Sequence, residues 1–264
     1  MDVMRTSTCT YPMREKPIAY ALKVVADAGF KKVDVWGRMP HFSLDADELD
    51  MVAVSTMAQV LRVQIANLGT YPGADFASDD PAVVAAAMDE MKLTIHMAAR
   101  LGCRSIRVSP GKGEDASIID KIVEPFQQAA AYAQAKGIYM GIENHQGAIA
   151  GDPKACLELA ERIGSKHFGI LYEPCNLMQA GVDYKAALDV FKDWVTHVHI
   201  KDGTERGGKF QRTMLGDGDV DVAWVVERLE ASGYTGDYAL EYEVCDLVPI
   251  EIGLRQWFDY FAKL

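Results

Sequence analysis

The sequence alternates between short apolar, strand-like segments and longer segments with helical spacing, and this alternation occurs eight times. The predicted strands lie at residues 3–8, 32–36, 62–68, 104–109, 139–144, 168–173, 195–201 and 238–243. The predicted helices lie at residues 17–28, 46–60, 81–100, 115–136, 153–163, 184–193, 221–231 and 249–263. The 264 residues divided over eight units average 33 residues each. That count and length favour a (β/α)8 TIM barrel, which typically needs about 250 residues.

One barrel domain is predicted over residues 1–264, because no Pro/Ser-rich linker or low-complexity tract divides the eight units. A doubly wound open sheet is the alternative. Such a sheet usually carries a glycine-rich dinucleotide-binding turn after its first strand. Here the first strand runs into the segment CTYPMREKP, which has no glycine. The Gly-Lys-Gly at 111–113 lacks the spacing of a phosphate-binding loop.

Composition and charge limit the class of protein. Hydrophobic residues make up 49% of the chain and charged residues 25%, as in an average globular protein. No apolar run approaches the roughly 20 residues of a membrane span, and no apolar signal core stands at the N-terminus. The net charge of −11 opposes nucleic-acid binding, which needs a basic surface. Five scattered cysteines suit reduced thiols in the cytoplasm.

Four ionisable residues stand at or near the ends of successive predicted strands in the second half of the chain. They are Glu143, Glu173, His199 and Glu241. A parallel strand between helices is expected to be almost entirely apolar, and a buried charge is costly unless it is paired or metal-bound. Barrel enzymes place their active sites at the carboxyl ends of the strands. We therefore expect one site that suits Mn²⁺, Mg²⁺ or Co²⁺; the alternative is that each glutamate simply faces water.

Five motifs carry a family resemblance. They are GIENH (141–145), LYEPCNL (171–177), HVHIKDG (197–203), LGDGDVD (215–221) and GYTGDYALEYE (233–243). In order and approximate spacing they resemble the sugar phosphate isomerase/epimerase family of xylose isomerase-like TIM barrels. The resemblance covers the C-terminal half of the chain. The N-terminal half matches in its βα rhythm and in openings such as AGFKKVDVW (28–36).

The resemblance implies one divalent metal ion at the barrel mouth, with Mn²⁺ favoured and Mg²⁺, Co²⁺ or Zn²⁺ as alternatives. Glu143, Glu173, His199 and Glu241 match its four ligand positions, although the family usually has aspartate where this chain has Glu173. It also implies abstraction of an α-proton through a metal-stabilised enediolate, with Glu143 and Glu241 as base and acid. His145 resembles the histidine of the family's Glu-x-His variant and is a third catalytic candidate; the alternative is a surface histidine.

Other side chains are candidates for substrate binding. Asn176 resembles the family's substrate-side position, or it serves only in turn or capping chemistry. Lys201 either contacts a substrate oxygen or pairs with a nearby carboxylate. Arg107 either faces an anionic or hydroxyl-rich ligand or forms a salt bridge inside the barrel. Trp36 either forms an apolar wall against a sugar or packs as ordinary core.

The polar segment 204–212, which contains Arg206, has the composition of a mobile lid, so Arg206 is a further candidate for substrate binding; the alternative is a solvated loop. Barrel phosphate sites often use the loops after strands 7 and 8. Here that region carries LGDGDVD (215–221), and its acidic side chains would repel a phosphate. A neutral, non-phosphorylated carbohydrate is therefore the favoured substrate; Arg206, Lys209 or Arg212 folding inward would overturn that preference.

Four functional hypotheses remain. The first is a metal-dependent isomerase or epimerase of a keto-sugar or related polyol. The second is a lyase or dehydratase on the same scaffold, acting by β-elimination on a keto-inositol, keto-acid or 3-keto-sugar. The third, a DNA-repair endonuclease, is opposed by the acidic charge and by a total of only six histidines. The fourth is a sugar-sensing or scaffold protein with an inactive site. A homo-oligomer stays open, because family members often complete their barrel mouths with a partner subunit.

Overall fold

The computed structural model describes residues 2–113 and 115–264. Within them, eight parallel strands form one sheet, and a separate antiparallel hairpin follows the seventh strand. The strands are β1 (Thr6–Thr8), β2 (Lys32–Trp36), β3 (Gln64–Gly69), β4 (Ser105–Val108), β5 (Tyr139–Glu143), β6 (Phe168–Tyr172), β7 (Val195–Ile200), β8 (Asp202–Arg206), β9 (Lys209–Thr213) and β10 (Tyr238–Leu240). The sheet order is β1-β10-β7-β6-β5-β4-β3-β2.

The two ends of this sheet meet. A parallel bridge joins Cys9, just after β1, to Asp34 in β2, and the Thr10 N–H donates to the Asp34 carbonyl oxygen at 2.9 Å. The sheet is therefore nearly closed into a barrel, and the predicted (β/α)8 fold is confirmed. The doubly wound alternative is wrong, because such a sheet begins near its middle and has two free edges, whereas here β1 and β2 stand at the two ends of the strand order and are joined.

Helices connect the barrel strands, and their ends follow local capping chemistry. They are α1 (Ile18–Asp27), α2 (Met51–Val60), α3 (Pro81–Leu101), α4 (Ile119–Lys136), α5 (Pro153–Ile163), α6 (Pro174–Gln179), α7 (Tyr184–Phe191), α8 (Val222–Ala231) and α9 (Ile250–Phe261). Asp50 accepts hydrogen bonds from the first turn of α2, so this helix begins later than the predicted residue 46. Asp221 caps α8, because its carboxylate accepts the Trp224 N–H at 3.1 Å.

Two predicted strands are shorter than expected. Residues Val3–Arg5 form a 3-10 turn rather than the start of β1, because the Asp2 carboxylate accepts the Met4 N–H at 2.9 Å and caps that turn. The eighth barrel strand ends at Leu240 rather than at residue 243. Beyond it the Glu243 N–H turns back to the Glu241 carbonyl oxygen at 2.9 Å.

Two elements were not predicted. The segment 204–212, expected as a lid-like loop, forms most of the β8–β9 hairpin. Its turn contains Gly207 and Gly208, which both have positive φ angles; a tight hairpin turn of this hand needs such angles, and glycine adopts them without strain. Short helix α6 was also missed. It begins immediately after Glu173, whose carboxylate accepts the Cys175 N–H at 2.9 Å.

The strands separate an apolar outer layer from a polar barrel interior. Val33 and Val35 of β2 are fully buried in the hydrophobic core, whereas Asp34 between them accepts a hydrogen bond from Ser7 of β1 at 2.7 Å. Alternation along a strand explains this division, because successive side chains point to opposite faces. The interior thereby receives the charged groups that the sequence places inside apolar strands.

None of the helices in residues 2–113 and 115–264 combines the length and the apolar character needed to cross a membrane.

Candidate active site at the barrel mouth

The four predicted ligand residues lie together at the carboxyl ends of four barrel strands. Glu143 is the last residue of β5, and His199 is the penultimate residue of β7. Glu173 and Glu241 directly follow β6 and β10. All four residues are buried. Three of them, Glu143, His199 and Glu241, line a cleft of about 170 Å³.

Glu143, His199 and Glu241 form what we call the central trio. The His199 Nδ1 atom lies 3.2 Å from Glu143 Oε1 and 3.9 Å from Glu241 Oε1. One potential ligand atom from each residue lies within 4.8 Å of the others. Two carboxylate oxygens and one imidazole nitrogen at this spacing could bind the same divalent ion.

Glu173 is held differently from the trio. Its Oε1 atom accepts the Cys175 N–H, and its own N–H donates to Asn144 Oδ1 at 2.9 Å. The Asn144 side chain also donates to the Glu173 carbonyl oxygen at 2.6 Å. The Oε2 atom lies 3.8 Å from Lys201 Nζ and is buried without a hydrogen-bond partner among the described residues. Burial raises the pKa of Glu173 to about 8, because the charged form is costly in a dry site.

The donor set and its unsatisfied atoms fit a divalent cation. Within the described chain, both Glu173 Oε2 and His199 Nδ1 are buried without a hydrogen-bond partner. Native proteins rarely leave buried polar atoms in this state. Oxygen ligands with a single imidazole suit Mn²⁺ or Mg²⁺ rather than a structural zinc site, which usually contains cysteine.

The charge balance of the site is also compatible with a bound divalent cation. The connected network of described residues contains five carboxylates, those of Asp34, Glu143, Glu173, Glu241 and Glu243. It contains three permanent cations, those of Arg107, Lys201 and Arg212. In the metal-free protein two protons, on Glu173 and His199, make up the difference, because the pKa of each group is raised. A divalent ion could replace these two protons with its own two positive charges.

Lys201 and Arg107 both pair with carboxylates of the site. The Lys201 Nζ atom lies 2.5 Å from Glu241 Oε2 and 2.9 Å from Glu243 Oε2. The Arg107 guanidinium lies 2.5 Å from Glu143 Oε2. Each was predicted either to pair or to contact substrate, and the structure shows the pairing. Both side chains also line the cleft, so contact with a substrate stays a prediction.

These pairs set the ionisation of the carboxylates. Burial raises the pKa of Glu143, but the Arg107 guanidinium and His199 lower it more, so its pKa lies well below its usual range. Burial likewise raises the pKa of Glu241, and Lys201 and His199 bring it below its usual value. Both carboxylates are therefore ionised at neutral pH and able to bind a cation or to accept a proton.

The other nitrogen of His199 faces a buried acid that the sequence analysis missed. The His199 Nε2 atom lies 3.4 Å from Asp34 Oδ2 and 3.7 Å from the Cys9 sulfur. His197 Nε2 lies 2.5 Å from the same Asp34 oxygen. Burial lowers the pKa of His199, but Cys9, Asp34 and Glu143 together raise it well above its usual value. Asp34 was detectable in the sequence, because it is a charge within the apolar strand sequence KVDVW, the same signal that identified Glu143.

The wall of the cleft is aromatic on the side of the first strands. Trp36 is half-buried, lines the cleft and donates from Nε1 to the Tyr71 hydroxyl at 3.3 Å. Tyr71 was not singled out in the sequence, since it follows β3 in an unremarkable loop. Asn176 and the exposed His145 also line the cleft. Asn176 is held by a 3.3 Å hydrogen bond from its Nδ2 atom to the Asn144 carbonyl oxygen.

The β8–β9 hairpin reaches the site through Arg212 rather than Arg206. Arg206 is exposed beside the turn, opposite Lys209, and is not among the residues that line the cleft. Arg212 lies 3.3 Å from Glu243 Oε2 and donates to the Cys175 sulfur at 2.9 Å. The structure thus brings nine of the ten predicted site residues to the barrel mouth and leaves Arg206 away from it.

Fold and site together define a (β/α)8 barrel with an acidic, metal-compatible mouth. The family model for the xylose isomerase-like TIM barrel matches residues 22–261. The chain therefore belongs to the xylose isomerase-like TIM barrel family, as its motifs suggested.

Curated relatives include two kinds of sugar enzyme. Ketose 3-epimerase of Arthrobacter globiformis is 25% identical over 240 residues, which cover 85% of this chain and 77% of that protein. Inosose dehydratase of Geobacillus thermodenitrificans is 26% identical over 155 residues, which cover 52% of this chain and 51% of that protein. The chain spans about half the length of the curated relatives that match it first, between 43% and 61%.

Solved structures show the same fold. A xylose isomerase-like TIM barrel protein from Mycobacterium smegmatis, determined in complex with magnesium, has a TM-score of 0.76 and 15% identity to this chain. The match covers 95% of this chain and 89% of that one.

Proposed function

We propose that this protein is a divalent-metal-dependent isomerase or epimerase of a keto-sugar or related polyol, with Mn²⁺ as the favoured ion. The observation that carries the proposal is the central trio, in which two ionised carboxylates lie beside one imidazole in the cleft at the barrel mouth. Glu143, His199, Glu241 and, through its unsatisfied Oε2 atom, Glu173 would hold the ion. The ketose 3-epimerase and the magnesium-bound structure among the similar proteins support the same reading.

The chain's own residues supply the proton chemistry. When bound, the ion provides a Lewis acid that polarises a substrate carbonyl. Glu143 and Glu241 approach His199 from β5 and from the end of β10, which are separated in the sheet by β6 and β7. One carboxylate can therefore take the α-proton while the other returns a proton from a different direction.

A neutral substrate fits the positive groups of the mouth better than a phosphorylated one. Arg107, Lys201 and Arg212, which does fold toward the site, are already paired with carboxylates. After β7, where barrels often bind phosphate, the N–H groups of Gly216 and Gly218 point at the Asp202 carboxylate, at 2.9 and 3.0 Å. The Val220 N–H joins them at 3.1 Å. The protein's own acid thus occupies the backbone donors that a phosphate would use.

A dehydratase or lyase on the same scaffold is the second candidate, and the position of His145 favours it. His145 is exposed, lines the cleft and stands two residues beyond Glu143. An imidazole there can protonate a leaving hydroxyl or alkoxide after α-proton abstraction. The inosose dehydratase relative agrees with this chemistry. Release of water or an alcohol distinguishes the two reactions, because an epimerase releases neither.

The experiment measures bound metal first and proton exchange second. We expect about one Mn²⁺-type ion per chain in the wild type, and its loss in both Glu143→Ala and His199→Ala. Glu161→Ala and His96→Ala, on exposed helical surfaces, are the matched controls and should keep the ion. Exchange of the α-proton is then followed in D₂O with D-fructose, D-allulose, D-tagatose and an inosose. A wild type that holds no divalent ion, even when ions are supplied, would contradict the proposal.

A further inference from the structure

A second cavity adjoins the cleft of the central trio. It lies between the loop after β4 and the loop after β5 and has a volume of about 230 Å³. Four residues line both cavities, namely Tyr71, Arg107, Glu143 and His145. The two spaces therefore meet beside His145, and a ligand longer than one sugar ring can extend from one into the other.

The lining of this second cavity is neutral and mixed in polarity. Its charged groups, Arg107 and Glu143, are paired with each other. Apart from these and His145, the described residues around it carry no charge. Ser109 and Gln146 offer polar groups, and other parts of the wall are apolar or aromatic. A sugar ring has hydroxyl groups at its edge and C–H groups on its faces, which this combination suits.

Backbone hydrogen bonds hold both walls in place. On the side of β4, the Ser109 N–H donates to the Pro72 carbonyl oxygen at 2.9 Å. On the side of β5, the His145 N–H donates to the Ala150 carbonyl oxygen at 3.0 Å. The Gly151 N–H likewise donates to the Gly147 carbonyl oxygen at 2.9 Å. A preformed cavity lowers the ordering cost of binding.

We propose that this cavity is a second subsite, and that it binds a neutral sugar ring attached to the keto-sugar held by the central trio. The nature of the reacting sugar rests on the proposed function. The second ring rests on the adjoining cavity alone. The preferred ligand is therefore a ketose glycoside or disaccharide rather than a free monosaccharide.

The test compares the affinities of the Mn²⁺-loaded protein for D-fructose and for three ketose disaccharides by calorimetry. Turanose, maltulose and isomaltulose carry a glucose ring at different hydroxyl groups of fructose. We expect at least one of them to bind about tenfold or more tightly than D-fructose, a difference readily measured in Kd. No gain for any of the three would overturn the subsite.

Two variants locate the effect. Ala148 and Gln146 line the second cavity but not the first, so Ala148→Trp and Gln146→Trp should lower the ratio of disaccharide to D-fructose affinity about tenfold. Gln146 is exposed, so its variant serves if Ala148→Trp fails to fold. The control Ala86→Trp, on the exposed surface of α3, should keep the ratio. Equal weakening of all ligands would overturn the subsite.

The outcome separates this proposal from the proposed function. A disaccharide preference that Ala148→Trp removes, without α-proton exchange on any ligand, would support the subsite and contradict the enzyme. Proton exchange with no disaccharide preference would support the enzyme and contradict the subsite.

Discussion

The two halves of the barrel contribute different chemistry to the same mouth. The first half, β1 to β4, supplies Asp34 and Arg107. Asp34 is hydrogen-bonded to His197, and Arg107 forms an ion pair with Glu143. The second half, β5 to β7 and β10, supplies the central trio and Glu173. Two ligand atoms there, His199 Nδ1 and Glu173 Oε2, have no hydrogen-bond partner among the described residues. The proposed metal ligands therefore come from the second half, whereas the first half supports them and adds one group of its own that is unsatisfied within the described chain, Asn67 Nδ2, to the wall of the cleft.

The physical basis of this division is the cost of buried charge. Asp34 is buried, but Ser7 and His197 satisfy both of its oxygens. Among the described residues, the second half carries more carboxylates at the site than its own cations, Lys201 and Arg212, can neutralise. A group that is satisfied internally holds its position, and a group left unsatisfied is available to a ligand.

The largest effect should follow from Glu143, the second-half carboxylate proposed as a catalytic base. Glu143→Gln keeps the shape and one oxygen ligand but removes the negative charge. We expect the rate of α-proton exchange in D₂O to fall about 10²–10⁴-fold, as general-base catalysis is lost. Glu161→Gln, on exposed α5, is the control. A full exchange rate in Glu143→Gln would show that another group takes the proton.

The next effect should appear in folding stability when Lys201 is removed. Lys201→Met leaves the buried Glu241 without its lysine partner and, among the described residues, leaves Glu243 with Arg212 alone. We expect the metal-free protein to lose about 3–5 kcal/mol of unfolding free energy, measured with urea. Lys185→Met breaks an exposed pair with Asp221 and a contact with the Trp224 ring, and should cost at most about 1 kcal/mol. Equal losses in the two variants would contradict the special role of the buried pair.

A smaller effect should come from the first half, through Asp34. A carboxylate behind a metal-binding histidine fixes the ring and its tautomer. Asp34→Asn should therefore weaken Mn²⁺ binding about 10–100-fold, measured by calorimetry. Asp27→Asn, which alters only an exposed pair with Lys23, is the control. If Asp34→Asn binds Mn²⁺ as tightly as the wild type, His199 needs no support from the first half.

The sequence predicted the second half of the mouth better than the first. Glu143, Glu173 and Glu241 stand out because each breaks or ends an apolar strand, and strand position alone assigns them to one end of the barrel. Asp34 gives the same signal, but its partners His197 and Ser7 lie far away along the chain. Only the closure of the barrel between β1 and β2 brings them together, and no local pattern specifies that contact.

Local chemistry explains the remaining differences in the fold. The hairpin over 202–213 depends on the turn at Gly207 and Gly208, a short-range signal that the sequence does contain. Helix α6 depends on Glu173, which caps the helix by accepting the Cys175 N–H. The sequence did not predict this contact. The second cavity depends on two loops whose relative placement has no sequence signature. Periodicity therefore predicts the elements, and tertiary contacts decide the ends of strands and the shape of the cleft.

The smallest expected effect concerns His41, which supports the aromatic wall from the first half. His41 is buried; its Nε2 atom lies 2.9 Å from the Lys16 carbonyl oxygen and its Nδ1 atom 2.9 Å from the Thr10 hydroxyl. Because the carbonyl can only accept, Nε2 donates, and Nδ1 accepts from Thr10. The Thr10 hydroxyl oxygen also accepts a hydrogen bond from the backbone N–H of Trp36 at 2.9 Å. The neutral imidazole therefore satisfies every partner.

Burial lowers the pKa of His41, so the unfolded chain binds the proton more readily than the folded protein does. The stability that His41 contributes is present above its unfolded pKa of about 6.5 and is lost as the pH falls below it, by at most about 1.4 kcal/mol per pH unit. His41→Gln should therefore show a shallower loss of unfolding free energy between about pH 7 and pH 5 than the wild type. His96→Gln, at an exposed position on α3, should retain the wild-type slope. If both variants lose unfolding free energy with the wild-type slope, protonation of His41 does not destabilise the first half of the mouth. The support that His41 gives to Trp36 would then be independent of pH.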